Sequence, residues 1–270
     1  MSENAGSEPG ASEAESPVEE TKPLLEVSDL TMRFRGLRAL NELTFDVRRG
    51  ELLAMIGPNG AGKTTVFNCI NGIYRPQSGS IALEGTELIG LRPSRIANLG
   101  MARTFQSLAL LGELDVLENM MLGRHRAMKT GLASAAVWFG RARREELENL
   151  RKCREIAEFL DLTRHVGKPV AELPYSIQKR VEIGRALAAE PTLLLLDEPV
   201  AGMSPAETDA MAELILDIQD QYGIAIMLVE HNMHLVMDLA ERIVALSFGE
   251  LLASGTAAEV AAHEDVISSY

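Results

Sequence analysis

Short apolar runs, separated by polar or glycine positions, dominate the chain from residue 24 onward. The runs at 25–27, 31–34, 43–47, 52–56 and 81–83 have the length and composition of β-strands. Gly36 and Gly50 stand between successive runs, where turns are expected. This pattern predicts an antiparallel β layer that precedes the strand at 52–56.

Helical spacing replaces the strand pattern between about 115 and 162, most clearly at 145–159. We interpret residues 107–185, approximately, as a helical subdomain inserted into an α/β core. Its charged residues fit a solvated helix face, and a partner-binding face is the alternative; they include Arg143, Arg144, Glu145, Glu146 and Glu148.

Strands and helices alternate in the last third of the chain. A helix is predicted from about 176 to 189, ended by Pro191. Apolar strands are predicted at 193–196, 224–229 and 243–248. The recurrence predicts a parallel sheet covered by helices, and hence an α/β fold class. Thr256 and Glu259 have the spacing of a capping box for a last helix.

Composition narrows the classes of protein that fit. The chain has 270 residues, 46% of them apolar, and a net charge of −13, which argues against a nucleic-acid surface. Residues 1–22 contain six Glu and one Lys and are predicted to be a disordered acidic tail ahead of a domain at 23–270. We expect neither a signal peptide nor a transmembrane helix, and therefore a cytosolic chain. Cys69 and Cys153 are interpreted as idle or buried thiols.

The strand at 52–56 leads into a phosphate-loop motif, G-P-N-G-A-G-K-T, which is followed by a predicted helix. The predicted nucleotide-binding residues are Gly57, Pro58, Asn59, Gly60, Ala61, Gly62, Lys63, Thr64 and Thr65. Glycines let backbone N–H groups turn toward the β-phosphate, and Lys63 can reach the β- and γ-phosphates. The Thr64 hydroxyl suits Mg²⁺, which prefers oxygen ligands. An ordinary glycine turn is the alternative, but the fixed positions would coincide by chance only about once in a hundred such chains.

Candidate catalytic side chains follow two later strands. Asp197 and Glu198 come at the end of a predicted buried strand, where ligands bind in open α/β sheets. Asp197 would serve Mg²⁺ and its waters, and Glu198 would orient or deprotonate the attacking water. His231 follows the strand at 224–229 and could donate a hydrogen bond to the γ-phosphate. Gln106 could reach Mg²⁺ or that water. Taken singly, an acidic turn, a structural His and an ordinary polar Gln remain alternatives.

Together these motifs, in the order phosphate loop, glutamine, signature, Asp-Glu and histidine, resemble the ATP-binding cassette family over 24–270. The resemblance implies a P-loop ATPase fold that combines a parallel-sheet core, an antiparallel β layer and a helical subdomain. It also implies that Phe34 stacks on adenine and that 201–205 forms the loop crossing a dimer interface. The family fold implies two cassettes packed head to tail, each completing the ATP site of the other.

Finer motifs resemble the longer ATP-binding subunit of branched-chain amino acid importers: Ala102-Arg103-Thr104-Phe105-Gln106, Val229-Glu230-His231-Asn232-Met233 and Leu235-Val236-Met237, with the helical insert. The resemblance implies a second ATPase cassette, two membrane permeases and, indirectly, a solute-binding protein. It places the chain at the cytoplasmic side of the inner membrane. Other amino acids, urea, amides and small aromatic acids remain open as cargo.

The family signature, Leu-Ser-Gly-Gly-Gln, is altered here to Leu173-Pro174-Tyr175-Ser176-Ile177. Both glycines are lost, and Pro174 offers neither a hydroxyl nor a backbone N–H. Tyr175 and Ser176 are nevertheless candidate contacts for the partner's nucleotide. Ser176 could cap the following helix and offer its hydroxyl, which would keep the segment functional. The alternative is that the site served by this signature is weakened.

The sequence leaves three function classes open. The first is an importer ATPase, and the second is the ATPase of a lipid or polysaccharide exporter. The third is a catalytically weak structural cassette. The length of the helical insert counts against the second, and intact Glu198 and His231 count against the third.

Overall fold

A computed structural model of the chain describes residues 22–104, 108–124 and 141–269. Residues 1–21 of the acidic tail, Gln106 and the segment around Trp138 lie outside these ranges. Within them the chain builds two β-sheets with helices packed around them.

The first sheet is antiparallel, with strand order β2-β1-β4-β5. Its strands are β1 (Leu25–Phe34), β2 (Leu37–Val47), β4 (Ser78–Leu83) and β5 (Thr86–Glu87). The prediction of two short strands within 25–34 is wrong, because β1 continues through a bulge. Asp29 sits there with φ of 50°, and its N–H donates to Thr44 Oγ1 at 2.9 Å.

The second sheet has strand order β10-β9-β3-β8-β7-β6. Strands β6 to β9 and β3 pair in parallel, and β10 adds an antiparallel edge. The strands are β3 (Leu52–Ile56), β6 (Met101–Arg103), β7 (Leu193–Asp197), β8 (Ala225–Val229), β9 (Arg242–Ser247) and β10 (Glu250–Gly255). Every residue of β3, β7 and β8 is buried, which explains why these strands are continuous apolar runs.

The helices, numbered in chain order, are α1 (Lys63–Ile70), α2 (Pro93–Asn98), α3 (Val116–Arg124), α4 (Arg141–Phe159), α5 (Tyr175–Leu187), α6 (Pro205–Tyr222), α7 (Met233–Leu239), α8 (Ala257–Ala261) and α9 (Glu264–Ser269). The predicted capping box is confirmed at α8, where Thr256 and Glu259 bond each other's backbone N–H groups. Ser204 and Glu207 form a second capping box at α6. No helix in the described parts of the chain is both long and apolar enough to span a membrane.

Helices α3 and α5 are in close contact, and the buried side chain of Arg124 forms hydrogen bonds to neighbouring segments. A Cβ at Gly123 would come within 2.1 Å of the Arg185 carbonyl oxygen, so the contact requires glycine. Arg124, 3% exposed, donates to Asn149 Oδ1 and to the Ala188 carbonyl, each at 2.9 Å. These contacts hold α3, α4 and the end of α5 together beside the parallel sheet.

Both cysteines are buried, and we expect them to be slow to react. Burial raises the pKa of Cys69 to about 12 and that of Cys153 to about 11, against partial opposition from Arg124 at Cys153. Iodoacetamide at pH 8 should therefore modify the folded chain roughly 100-fold more slowly than the denatured chain. Because folding favours the protonated thiols, their contribution to the free energy of unfolding is fully present below the unfolded pKa of about 8.5. That contribution is lost as the pH rises above this value. Mass spectrometry of timed samples measures the rates, and equal rates in the two states would contradict this.

Candidate active site

The phosphate-loop motif connects the end of β3 to the start of α1, as its sequence predicts. Gly57 and Gly62 are required by neighbouring backbone as well as by the turn. A Cβ on Gly57 would lie 2.4 Å from the Leu246 carbonyl oxygen of β9. A Cβ on Gly62 would lie 2.9 Å from the Ala39 carbonyl oxygen of β2, at a φ of 109°. The loop is therefore seated between the two sheets.

Lys63 is 7% exposed, and its ammonium lies over the loop. It donates to the Gly57 carbonyl at 2.5 Å and to the Pro58 carbonyl at 3.2 Å. Burial lowers the pKa of Lys63, whereas the negative charges of Glu198 and Asp197 raise it. The loop's lysine and the two carboxylates predicted from β7 thus share one electrostatic environment.

Asp197, the last residue of β7, is 2% exposed and pairs with a cation that the sequence interpretation did not single out. Arg103 at the end of β6 donates from Nη2 to Asp197 Oδ2 at 2.7 Å, with both side chains buried. Arg103 also bonds Asn68 Oδ1 at 2.8 Å and lies 5.3 Å from the Phe67 ring centroid. The pair fixes the Asp197 carboxylate between β6, β7 and α1.

Glu198 and His231 approach each other beyond neighbouring strands. Glu198 follows β7 with φ of 48°, and its N–H donates to the Val229 carbonyl at 2.9 Å. His231 Nδ1 lies 4.0 Å from Glu198 Oε1 and 3.7 Å from Oε2 of Glu230. The His231 side chain is 61% exposed and that of Glu198 is 21% exposed, so both reach the surface.

Glu230 was not predicted as a site residue, although it directly precedes His231. It is fully buried, and its carboxylate accepts from Val200 N at 3.3 Å and His231 N at 3.1 Å. Burial raises the pKa of Glu230, and the N–H groups of His231, Val200 and Asn232 oppose that rise.

A cavity of about 500 Å³ opens over the phosphate loop. Its lining consists of Asn59, Gly60, Ala61, Gly62, Lys63, Thr64 and Thr65 with Glu198, Leu37, Arg38, Ala39 and Phe248. The exposed Thr64 hydroxyl and the nearby carboxylates are the hard oxygen donors that suit Mg²⁺. Phe34 is absent from this lining and instead packs edge-on against Tyr74, with ring centroids 5.1 Å apart.

Comparison with known proteins agrees with this geometry. The family model described as ABC transporter matches residues 40–201, more than half of the chain. The chain belongs to the ABC transporter family. It is 41% identical to the high-affinity branched-chain amino acid transport ATP-binding protein LivG of Salmonella typhimurium, over 93% of this chain and 98% of that protein. The corresponding protein BraF of Pseudomonas aeruginosa is 40% identical, over the same shares of the two chains.

Solved structures of ABC cassettes have the same fold. The ADP conformation of an ATP-binding cassette of an ABC transporter superimposes with a TM-score of 0.80 at 28% identity, covering 93% of this chain and 99% of that one. A nucleotide-free cassette gives 0.76 at 28% identity, covering 92% and 94%. The chain is therefore an ABC-type ATPase, and the predicted family, fold class and enzyme class are confirmed.

The altered signature of this ABC cassette starts α5 in an unusual way. The N-cap is Pro174, which supplies no side-chain cap, so the prediction that Ser176 caps the helix is wrong. Ser176 is the second helical residue, and its side chain hydrogen bonds Glu207 near the start of α6. That bond and those from Ser204 lower the pKa of Glu207 to about 2. Tyr175 is 42% exposed, and neither Tyr175 nor Ser176 lines the cavity over the phosphate loop.

Phe248, on the turn between β9 and β10, was missed because nothing in its surrounding sequence marks it. Its ring is 87% exposed at the cavity, and the backbone has a φ of 47°, a left-handed conformation that costs a bulky residue energy. The turn is held in place because Gly249 N donates to the Ala61 carbonyl at 2.9 Å.

Phe248→Asn is expected to raise the free energy of unfolding by about 0.5–1 kcal/mol. Asn tolerates the left-handed conformation better, and the exposed phenyl group contributes little burial. Urea denaturation followed by circular dichroism measures the change. Leu37→Asn is the matched control, since Leu37 is 72% exposed on the same cavity without a positive φ. An equal gain in both variants would contradict the backbone explanation.

Proposed function

We propose that this chain is the ATP-hydrolysing subunit of an ABC importer for branched-chain amino acids or a closely related small solute. The observation that carries the proposal is the 41% identity to LivG, which spans nearly the whole of both chains. The meeting of the phosphate loop and Glu198 at one cavity supports it. We also propose, from the same similarity to LivG, that residues of about 107–185 form a helical subdomain.

Within that function the residues of the cavity divide the work. Phosphate-loop N–H groups and Lys63 would bind the phosphates of ATP, and Phe34 would stack on adenine. Thr64 and Asp197, with Gln106, would hold Mg²⁺, which neutralises phosphate charge when bound. Glu198 would take a proton from the attacking water, and His231 would donate a hydrogen bond to the γ-phosphate.

The altered signature segment suggests what kind of cassette is the partner of this chain. We propose that this cassette pairs with a different one, whose signature retains the serine and glycines. The heterodimer would act beneath two membrane permeases on the cytoplasmic side of the inner membrane, with a solute-binding protein delivering cargo. Tyr175 and Ser176 would face the partner's nucleotide, and the loss of both signature glycines would weaken that second site.

Affinity capture tests the proposal most directly. A tag on this chain retrieves its complex from detergent-solubilised membranes with ATP present, and mass spectrometry identifies the bound proteins. Two permeases and a second cassette are expected, with turnover stimulated by a solute-binding protein loaded with leucine, isoleucine or valine. Recovery with lipid-export components would favour the exporter, and recovery alone would contradict the importer.

A further inference from the structure

Two loops that carry the proposed catalytic side chains meet at a single buried carboxylate. The first loop follows β7 and contains Glu198, Pro199 and Val200. The second follows β8 and contains Glu230, His231 and Asn232. Glu230 is fully buried, whereas His231 and Glu198 are partly exposed.

The Glu230 carboxylate contacts backbone donors from both loops. Oε1 accepts from Val200 N at 3.3 Å, across 30 residues of sequence. Oε2 accepts from His231 N at 3.1 Å, and the Asn232 N–H lies close enough to lower the pKa of Glu230. The two bonded N–H groups, with the third nearby, form a pocket that fits a carboxylate and gives the buried group its hydrogen bonds.

The contact with Val200 is decisive because of its position in the first loop. Pro199 has no N–H, so Val200 supplies the first backbone donor after Glu198. The Val200 carbonyl in turn accepts from Met203 N at 3.1 Å, which continues the ordered path toward α6. Holding Val200 in place therefore also holds the segment that follows Glu198 in the chain.

On the other side, Glu230 acts on His231 through both backbone and side chain. Its Oε2 accepts from His231 N and lies 3.7 Å from Nδ1 of the same residue. Asn232 then caps α7 by accepting from Leu235 N at 3.3 Å. The ring of His231 is 61% exposed, so the packing of its own side chain restrains it little.

We propose that Glu230 is a positioning residue that holds His231 and the loop after Glu198 in one arrangement, so that the two catalytic side chains act on the same phosphate. This rests on the proposed function, because the roles of Glu198 and His231 belong to it. Glu230 lies beneath the reacting groups and acts through its neighbours. Its loss should lower the rate of the chemical step more than the affinity for ATP.

The test compares Glu230→Gln with the unchanged chain in the complex captured from membranes. Gln keeps the shape but replaces one acceptor oxygen by an NH₂ group, which faces a backbone donor. We expect kcat to fall roughly 10- to 100-fold while the KM for ATP stays within about twofold. In the isolated full-length chain, amide exchange should accelerate roughly tenfold in peptides covering 198–204 and 230–235, and little elsewhere.

Glu51→Gln is the matched control. Glu51 is also a buried carboxylate, 4% exposed; it accepts from the Arg48 N–H at 2.7 Å and pairs with Arg242 at 2.7 Å, but it directly precedes β3, away from the cavity. Its loss should lower stability and leave kcat within about twofold of the unchanged value. Glu230→Asp, which retains the charge but shortens the side chain, is the second variant if Glu230→Gln does not fold.

The outcomes separate the two hypotheses. If Glu198→Gln abolishes turnover while Glu230→Gln retains it, the positioning role is wrong and the proposed function stands. If Glu198→Gln itself retains turnover, the catalytic role proposed for Glu198 fails and the positioning role fails with it. If exchange in Glu230→Gln rises throughout the chain as in Glu51→Gln, the effect is general loosening and the positioning role is wrong. A kcat loss at unchanged KM, with exchange confined to the two loops, supports it.

Discussion

Glu198→Gln is expected to lower ATP turnover of the assembled complex by about 100-fold or more. Glu198 lines the cavity over the phosphate loop, near Lys63, where a carboxylate can take a proton from water. Gln preserves the shape and removes the basic oxygen, and general-base catalysis contributes about 10²- to 10⁴-fold. Phosphate release from the purified complex measures the rate, and ATP affinity should change little.

The decisive control is the equivalent Glu-to-Gln change in the partner cassette. The partner's phosphate loop would be served by the altered signature of this chain, so we expect that site to contribute the smaller share of turnover. If the complex stays active with Glu198→Gln but loses turnover with the partner's change, the assignment of the larger share of turnover to the Glu198 site is reversed. Brisk turnover by the isolated chain would also contradict it, since a homodimer would carry the altered signature at both sites.

Arg103→Met is expected to destabilise the fold by about 3–5 kcal/mol. The Arg103 and Asp197 side chains are only 5% and 3% exposed, so removing the guanidinium leaves a buried carboxylate without its nearest cation. Met retains an apolar side chain of similar length, which limits the packing loss beside Phe67. Urea denaturation at neutral pH measures the change in the free energy of unfolding.

An exposed ion pair provides the matched control for that prediction. Arg49 lies 2.7 Å from Glu84, but the two side chains are 62% and 40% exposed. Solvent screens such a pair, so Arg49→Met should cost less than about 1 kcal/mol. Equal losses in the two variants would show that burial of the Arg103 pair has no special effect.

The phosphate loop and the parallel sheet could be predicted because their signals are local. The apolar runs of β3, β7 and β8 are continuous since both faces of the sheet are covered, and each candidate site motif follows such a run. Asp197, Glu198 and His231 were therefore proposed as site residues from their positions alone. Their proximity follows from strand order, because β7 and β8 are neighbours.

Features that depend on distant parts of the chain could not be predicted in this way. Arg103 meets Asp197 across 94 residues, and Glu230 meets Val200 across 30. In the sequence, Arg103 and Glu230 belong to motifs that were interpreted through Gln106 and His231, so neither residue was singled out. The apolar runs at 25–27 and 31–34 were predicted as separate strands because polar residues interrupt them, yet a Thr44 hydroxyl from the next strand accepts the Asp29 N–H and the strand continues.

The signature shows a further limit of local patterns. Ser176 lies at the start of the helix predicted from about 176 to 189, which favours a capping role, but the helix starts at Tyr175 and Pro174 occupies the N-cap. The serine finds its partner, Glu207, on α6, and no local spacing indicates that contact. The cavity lining also includes Leu37, Arg38 and Phe248, which no local pattern indicated, whereas the role of Phe34 on adenine stays a prediction.

The position of β3 in the middle of the parallel sheet affects how the chain can be made. Leu52 of β3 pairs with Ile226 of β8, and Leu53 with Arg242 of β9, so both neighbours of the strand are encoded far downstream. The antiparallel sheet at 25–87 can form soon after its synthesis, but β3 cannot complete its hydrogen bonds until β9 has been made, about 190 residues later. At typical synthesis rates that delay is about 10–40 s. Throughout it, the nascent chain carries an unpaired strand of five apolar residues, Leu52–Ile56, which makes early chaperone binding valuable to this protein.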